Sequence, residues 1–141
     1  MANRLVWLHS GGIQTNRLLA AGVVTPMTAL NLFLMLAMGH FVADFALQGD
    51  RMATEKCPGQ GVVLHWSWWL TAHAAIHGFF VALITGVPLL GLAEWLVHAL
   101  IDLGKCRRRY RMGGDQALHL LCKVVWTVLA FRCAPGQGLV L

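Results

Sequence analysis

Charge is scarce in this chain of 141 residues. Asp, Glu, Lys and Arg make up 12% of it, where a soluble globular domain carries about 25%. The apolar share is 57% and the mean hydropathy +0.62, above the soluble norm. This deficit excludes an ordinary soluble domain and points to helices that face lipid. The four cysteines, Cys57, Cys106, Cys122 and Cys133, show no CxxC spacing, which excludes a zinc knuckle or dithiol redox motif. No Ser or Cys motif offers a covalent nucleophile, and no internal repeat is convincing. The opening "MANRLVWLHSGG" has too short an apolar run for a signal peptide.

What charge there is falls in short stretches. Five of the eleven basic residues lie in "KCRRRYR", 105–111, between two apolar segments. Although the net charge is +5, a basic loop beside a membrane span is a topology signal, and no nucleic-acid partner is expected. Four helical spans are predicted, near 27–47, 63–85, 88–104 and 115–132. Pro26 would open the first, "GDRMATEKCPGQG" would follow it as a loop, and Asp115 would cap the fourth. Residues 1–26 read as an appended segment, interfacial in character, 27–133 as the membrane domain and 134–141 as a tail. Arg51, Lys56 and the 105–111 run put both basic loops on the cytoplasmic side and both termini outside. Cys57 and Cys106 are then expected to be free thiols in a reducing compartment. Trp66, Trp68 and Trp69 read as an interfacial belt, and His9 and His65 as interfacial groups.

Against this background the ionisable residues inside the spans stand out. Each span carries a pair four residues apart: His40 and Asp44, His73 and His77, His98 and Asp102 (with Glu94 one step before), and Asp115 and His119. Residues at i and i+4 share one helix face, about 6 Å apart along the axis. The chain has seven His and six Asp or Glu. Random placement gives about one such pair; five are present. In antiparallel helices the four sets also fall near one depth. An unpaired ionisable group in hydrocarbon costs several kcal/mol, so these residues should face the interior and serve function.

The expected fold is therefore all-α, an integral membrane four-helix bundle with a polar metal-binding interior. His40, Asp44, His73, His77, His98, Asp102, Asp115 and His119 are the candidate ligands. They suit a divalent ion, zinc first, with iron or manganese as alternatives. Eight ligands exceed what one tetrahedral ion needs, so one or two ions are expected, some of the eight supporting others from behind. Glu94 is the candidate general base. Gln48 and Lys123 extend two of the polar faces as solvated or supporting groups. The expected activity is metal-dependent hydrolysis of a lipid or lipid-linked substrate at the cytoplasmic interface. The alternatives are a metal-stabilised structural or accessory subunit and a divalent-metal transporter. A di-iron oxygen-activating centre ranks lower, because its usual Glu-x-x-His spacing is missing. The lipid bilayer is the expected partner, together with a homo-oligomer or a larger membrane complex.

Four ordered motifs, "HFVADFALQ", "HAAIH", "HALIDLGK" and "DQALH", resemble the DUF3307 family, a domain of unknown function in small bacterial and phage membrane proteins. The resemblance covers about residues 36–125. It implies a compact helical domain in a bacterial inner membrane, crossed several times, and implies no activity.

Overall fold

The computed structural model describes residues 27–133. The expectations for 1–26 and 134–141 lie outside the described residues. Within them the chain is all-helical. Helix α1 (Ala29–Phe41) runs into a π-helical turn, Val42–Ala46. A short α2 (Asp50–Glu55) follows, then α3 (Trp66–Thr85), α4 (Pro88–Cys106) and α5 (Met112–Cys133). Three of these stretches, Ala29–Ala46, Trp66–Thr85 and Met112–Cys133, are long and apolar enough to cross a membrane. Helix α4 is of similar length but carries Glu94, Asp102 and Lys105.

Local chemistry sets the helix ends, in places one turn away from expectation. Thr28 caps α1, its hydroxyl accepting from the Asn31 amide at 3.2 Å; Pro26 lies outside the described residues. The ring of His65 caps α3 through the Ser67 amide. Gly86, at φ +67°, stops that helix in the left-handed region that glycine enters without a Cβ clash. Pro88 then starts α4, where its missing N–H costs nothing. Helix α5 begins at Met112, so Asp115 lies within its first turn instead of capping it. Its carboxylate is engaged elsewhere, by Lys105 at 2.7 Å. The expected loop after α1 contains α2.

Helix α1 packs against α3 and α5, and α4 packs against the same two. The closest approach is between α3 and α4. A Cβ on Gly78 would lie 2.6 Å from the Gly91 carbonyl oxygen, so these backbones touch. The outer faces are apolar: Leu30, Leu34, Met38, Phe79, Leu83, Leu96, Leu100, Leu121, Val128 and Phe131 are all exposed. The interior divides along its length. Leu32, Leu36, Val81, Ile84, Leu90, Trp126 and Ala130 fill one end, and histidines, carboxylates and lysines fill the other.

Candidate metal centre

A single rule positions the polar residues. Each helix turns a stripe of every fourth residue inward, because four residues advance the chain by little more than one turn. On α1 the stripe is Leu32, Leu36 and His40, and on α3 it is His73, His77, Val81 and Thr85. On α4 it is Leu90, Glu94, His98 and Asp102, and on α5 Asp115, His119, Lys123 and Thr127. All are buried. Asp44 continues the α1 stripe into the π-helical turn, where the chain is wound wider. Its side chain stays 9% exposed and so is the most accessible of the eight predicted ligands. Such turns concentrate at functional sites. The periodicity gave no sign of it.

All eight predicted ligands come together. Asp44 Oδ1 lies 3.2 Å from His73 Nε2 and 3.1 Å from His77 Nε2. His73 Nε2 and His98 Nε2 are 3.2 Å apart. His119 Nε2 is 3.7 Å from Asp102 Oδ1 and 3.6 Å from Asp115 Oδ1. The rings of His77 and His119 stack on that of His98, with centroids 3.6 Å and 4.0 Å away. Three sets have one ligand atom per residue within 4.8 Å of one another: Asp44, His73, His77 and His98; His40, His98 and His119; and Asp102, Asp115 and His119.

Glu94 stands behind this group. Its Oε1 accepts from Lys123 Nζ and from His98 Nδ1, the latter at 3.2 Å, and its Oε2 accepts from Trp126 Nε1. Lys123 is therefore a buried partner, not a solvated one. Four further residues reach the cluster from outside the predicted set or in new roles. Gln116 donates to Asp44 Oδ2 at 2.7 Å, and its oxygen lies 3.1 Å from His40 Nε2. Lys105 donates to Asp115. Lys56 donates to Asp102 Oδ2 at 2.6 Å. With its amide oxygen turned to the ammonium, Gln48 accepts from Lys56 at 2.9 Å. Gln116 sits inside the "DQALH" motif and was there to be noticed. Lys56 is 46 residues from Asp102, in a loop without periodicity, and nothing along the chain marks this contact.

Cys57 and Cys106 are joined by a disulfide, with Cα atoms 5.3 Å apart. The expected free thiols are therefore not present at these positions. The pairing was invisible to motif reading because it closes over 49 residues. It ties the two basic loops together, so both lie at the same end of the molecule. Cys122 and Cys133 are free.

Beside the disulfide, Glu55 organises the loop. Its Oε2 accepts from the amides of Val62 and Val63 and from Trp69 Nε1, at 3.0 to 3.1 Å. The Val62 amide above all, with the Val63 amide and the Trp69 indole N–H, holds this carboxyl below its usual range. Trp69 is thus an anchor for the loop as well as part of the expected belt. In the other basic loop Tyr110 donates to the Ile101 carbonyl and lies over Gly104, where a side chain would strike the phenol. Burial pushes that phenol up from its ordinary pKa.

The arrangement carries one positive charge fewer than negative. Among the described residues, Asp44, Glu94, Asp102 and Asp115 face Lys56, Lys105 and Lys123, which leaves one negative charge unmatched when the imidazoles are neutral. It also has unused donors and acceptors. Asp115 Oδ1, both ring nitrogens of His119, and Nδ1 of His40, His73 and His77 are buried without a hydrogen-bond partner among the described residues. Buried polar atoms are normally satisfied, by water among other partners, and these histidines and carboxylates make a donor set compatible with a divalent cation.

The protein of unknown function family DUF3307 has a model that matches residues 32–135. The chain belongs to this family. The match takes in all four motifs and every predicted ligand, so the cluster lies wholly within the DUF3307 region. No curated protein and no solved structure matches the chain.

Proposed function

We propose that the four long helices form a membrane-embedded bundle around a divalent-metal centre, and that the centre serves hydrolysis of a lipid or lipid-linked ester near the basic end. The observation that carries the metal reading is the meeting of eight ligands from four helices, with ring nitrogens left unpartnered inside an apolar exterior. His73, His77, His98 and Asp44 are the best-formed ligand set. His119, Asp102 and Asp115 form a second, with His40 between them. A bound ion supplies Lewis acidity and charge neutralisation. Glu94 acts as a positioning residue in this reading: it holds His98 by Nδ1 and leaves Nε2 to face the centre, as carboxylates behind metal-binding histidines do. On the less buried side, the amide N–H of Gln116 would donate to a substrate carbonyl, and Asp44 would accept from a water, against the ligands. Arg107, Arg108, Arg109 and Arg111 are positioned to attract an anionic headgroup.

The near-complete burial of the other ligands favours a second reading, in which the ion ties the helices together as the core of a subunit in a larger complex. Elemental analysis of detergent-purified protein tests the shared premise: one or two ions per chain are expected, and none would end both readings. Lipid-ester turnover that disappears with a chelator and returns with zinc supports the enzyme. Unfolding on chelation, with no turnover on any lipid ester, supports the structural role.

A further inference from the structure

The interior stripe of α4 does not stop at the centre. Glu94, His98 and Asp102 are followed, again four residues on, by Cys106. The segment 48–65 crosses this end of the molecule and is fastened down by three consecutive residues. Glu55 grips Val62, Val63 and Trp69. Lys56 sets its ammonium on Asp102 Oδ2 at 2.6 Å, and Cys57 is bonded to Cys106. Lys56 is 4% exposed and Asp102 2%, whereas both cysteines are only half-buried. The two cysteines are thus less buried than the ion pair beside them.

Lys56 and a metal ion want the same carboxylate. While the ammonium holds Asp102 Oδ2, that oxygen is closed to an ion and only Oδ1, 3.7 Å from His119 Nε2, is left to the ligand set. Tethering Lys56 one residue from the disulfide raises its effective concentration at Asp102 and keeps it in place. The two loops joined by the bond are the basic ones, which marks the cytoplasmic face. A disulfide in that compartment is usually transient and redox-sensing.

We propose that Cys57–Cys106 is a redox latch on the metal centre and that Lys56 is its plug. This rests on the metal reading above. In the oxidised protein the 48–65 segment is clamped and Lys56 occupies Asp102. A cellular or added dithiol opens it. One thiolate attacks a sulfur of the pair and breaks the S–S bond, forming a mixed disulfide. The second thiol resolves this, so two electrons and two protons pass to Cys57 and Cys106 and the dithiol leaves as a disulfide. The freed segment then lifts Lys56 away and yields Asp102 to the ion.

The test is the rate of zinc exchange in the full-length protein in detergent, followed with a chromophoric chelator. The oxidised wild type should load and release zinc at least tenfold more slowly than Cys57→Ser/Cys106→Ser, which opens the latch without adding thiols that bind zinc themselves. Where that variant does not fold, wild type reduced with a dithiol and alkylated supplies the comparison. Lys56→Met with the disulfide intact should also load faster than wild type. Equal rates in oxidised and opened protein would overturn the latch while leaving the metal centre standing. Slower loading or a lower zinc content in Lys56→Met would make Lys56 a support for Asp102 and overturn its role as plug. No zinc in any folded form would remove the centre and the latch together.

Discussion

The two ends of the interior are built from the same four helices, yet they hold together by different means. At the end lined by Leu32, Leu36, Val81, Ile84, Leu90, Trp126 and Ala130, close packing supplies the stability. At the end lined by His40, Asp44, His73, His77, His98, Asp102, Asp115 and His119, packing is given up for polar groups whose desolvation must be offset partner by partner. The first end defines how far apart the helices stand. The second uses that spacing to bring ligands together. Gly78 and Gly91 show the dependence: backbone contact there brings the α3 and α4 stripes near enough for His73 and His98 to meet at 3.2 Å.

The boundary between the ends is the most sensitive place to probe. Lys123→Met leaves the Glu94 carboxylate buried with one cation fewer, and should destabilise the protein by about 3–5 kcal/mol. Glu94→Leu/Lys123→Met, which removes both charges, should recover most of that loss in a double-mutant cycle of unfolding in detergent. A double variant as unstable as the single would mean that the pair is needed for more than its mutual neutralisation. Next in size, Leu36→Ala in the apolar end should cost about 2–5 kcal/mol and leave the zinc content per folded chain unchanged. If zinc falls with it, the ends are not separable.

His98→Ala is the mirror experiment. It should abolish zinc retention through a chelating column while costing the metal-free protein less than Leu36→Ala does. Saturating zinc at 100 times its Kd should stabilise the wild type by about 2.7 kcal/mol, and this gain should vanish in His98→Ala. The smallest effect is expected at Glu55, outside the membrane. Its carboxyl is held below the usual range by the Val62 amide first and then by Val63 and Trp69. Its contribution is therefore present above the ordinary Glu pKa, about 4.3, and is lost as pH falls through the lower folded value. Glu55→Gln should raise proteolytic cleavage of the 48–65 segment at pH 7 and leave global unfolding unchanged. Unchanged cleavage would mean that the disulfide and the Lys56–Asp102 pair hold the segment without Glu55.

Much of the ligand face was readable before any coordinates, because helical periodicity is a property of the chain alone. The pairs 40/44, 73/77, 98/102 and 115/119 each mark one face of one helix, and all four faces meet. The parts that were not readable depend on distance in space. Lys56 and Cys57 reach α4 from a segment with no periodic pattern. The π-helical turn at Val42–Ala46 has no compositional mark. Glu94 shares its spacing with the ligands, yet Lys123 and Trp126 take up its oxygens, and nothing along the chain ties either residue to it.

The sequence by itself determined that the chain is helical and apolar outside, and that its ionisable residues lie on chosen faces. Hydropathy and a 3.6-residue turn are local properties that need no tertiary contact. Only the tertiary structure decided which groups neutralise one another, which ring nitrogens are left without partners among the described residues, and that a lysine next to a disulfide sits on the carboxylate of Asp102. Those outcomes depend on which stripes meet and at what separation, and helix packing sets both.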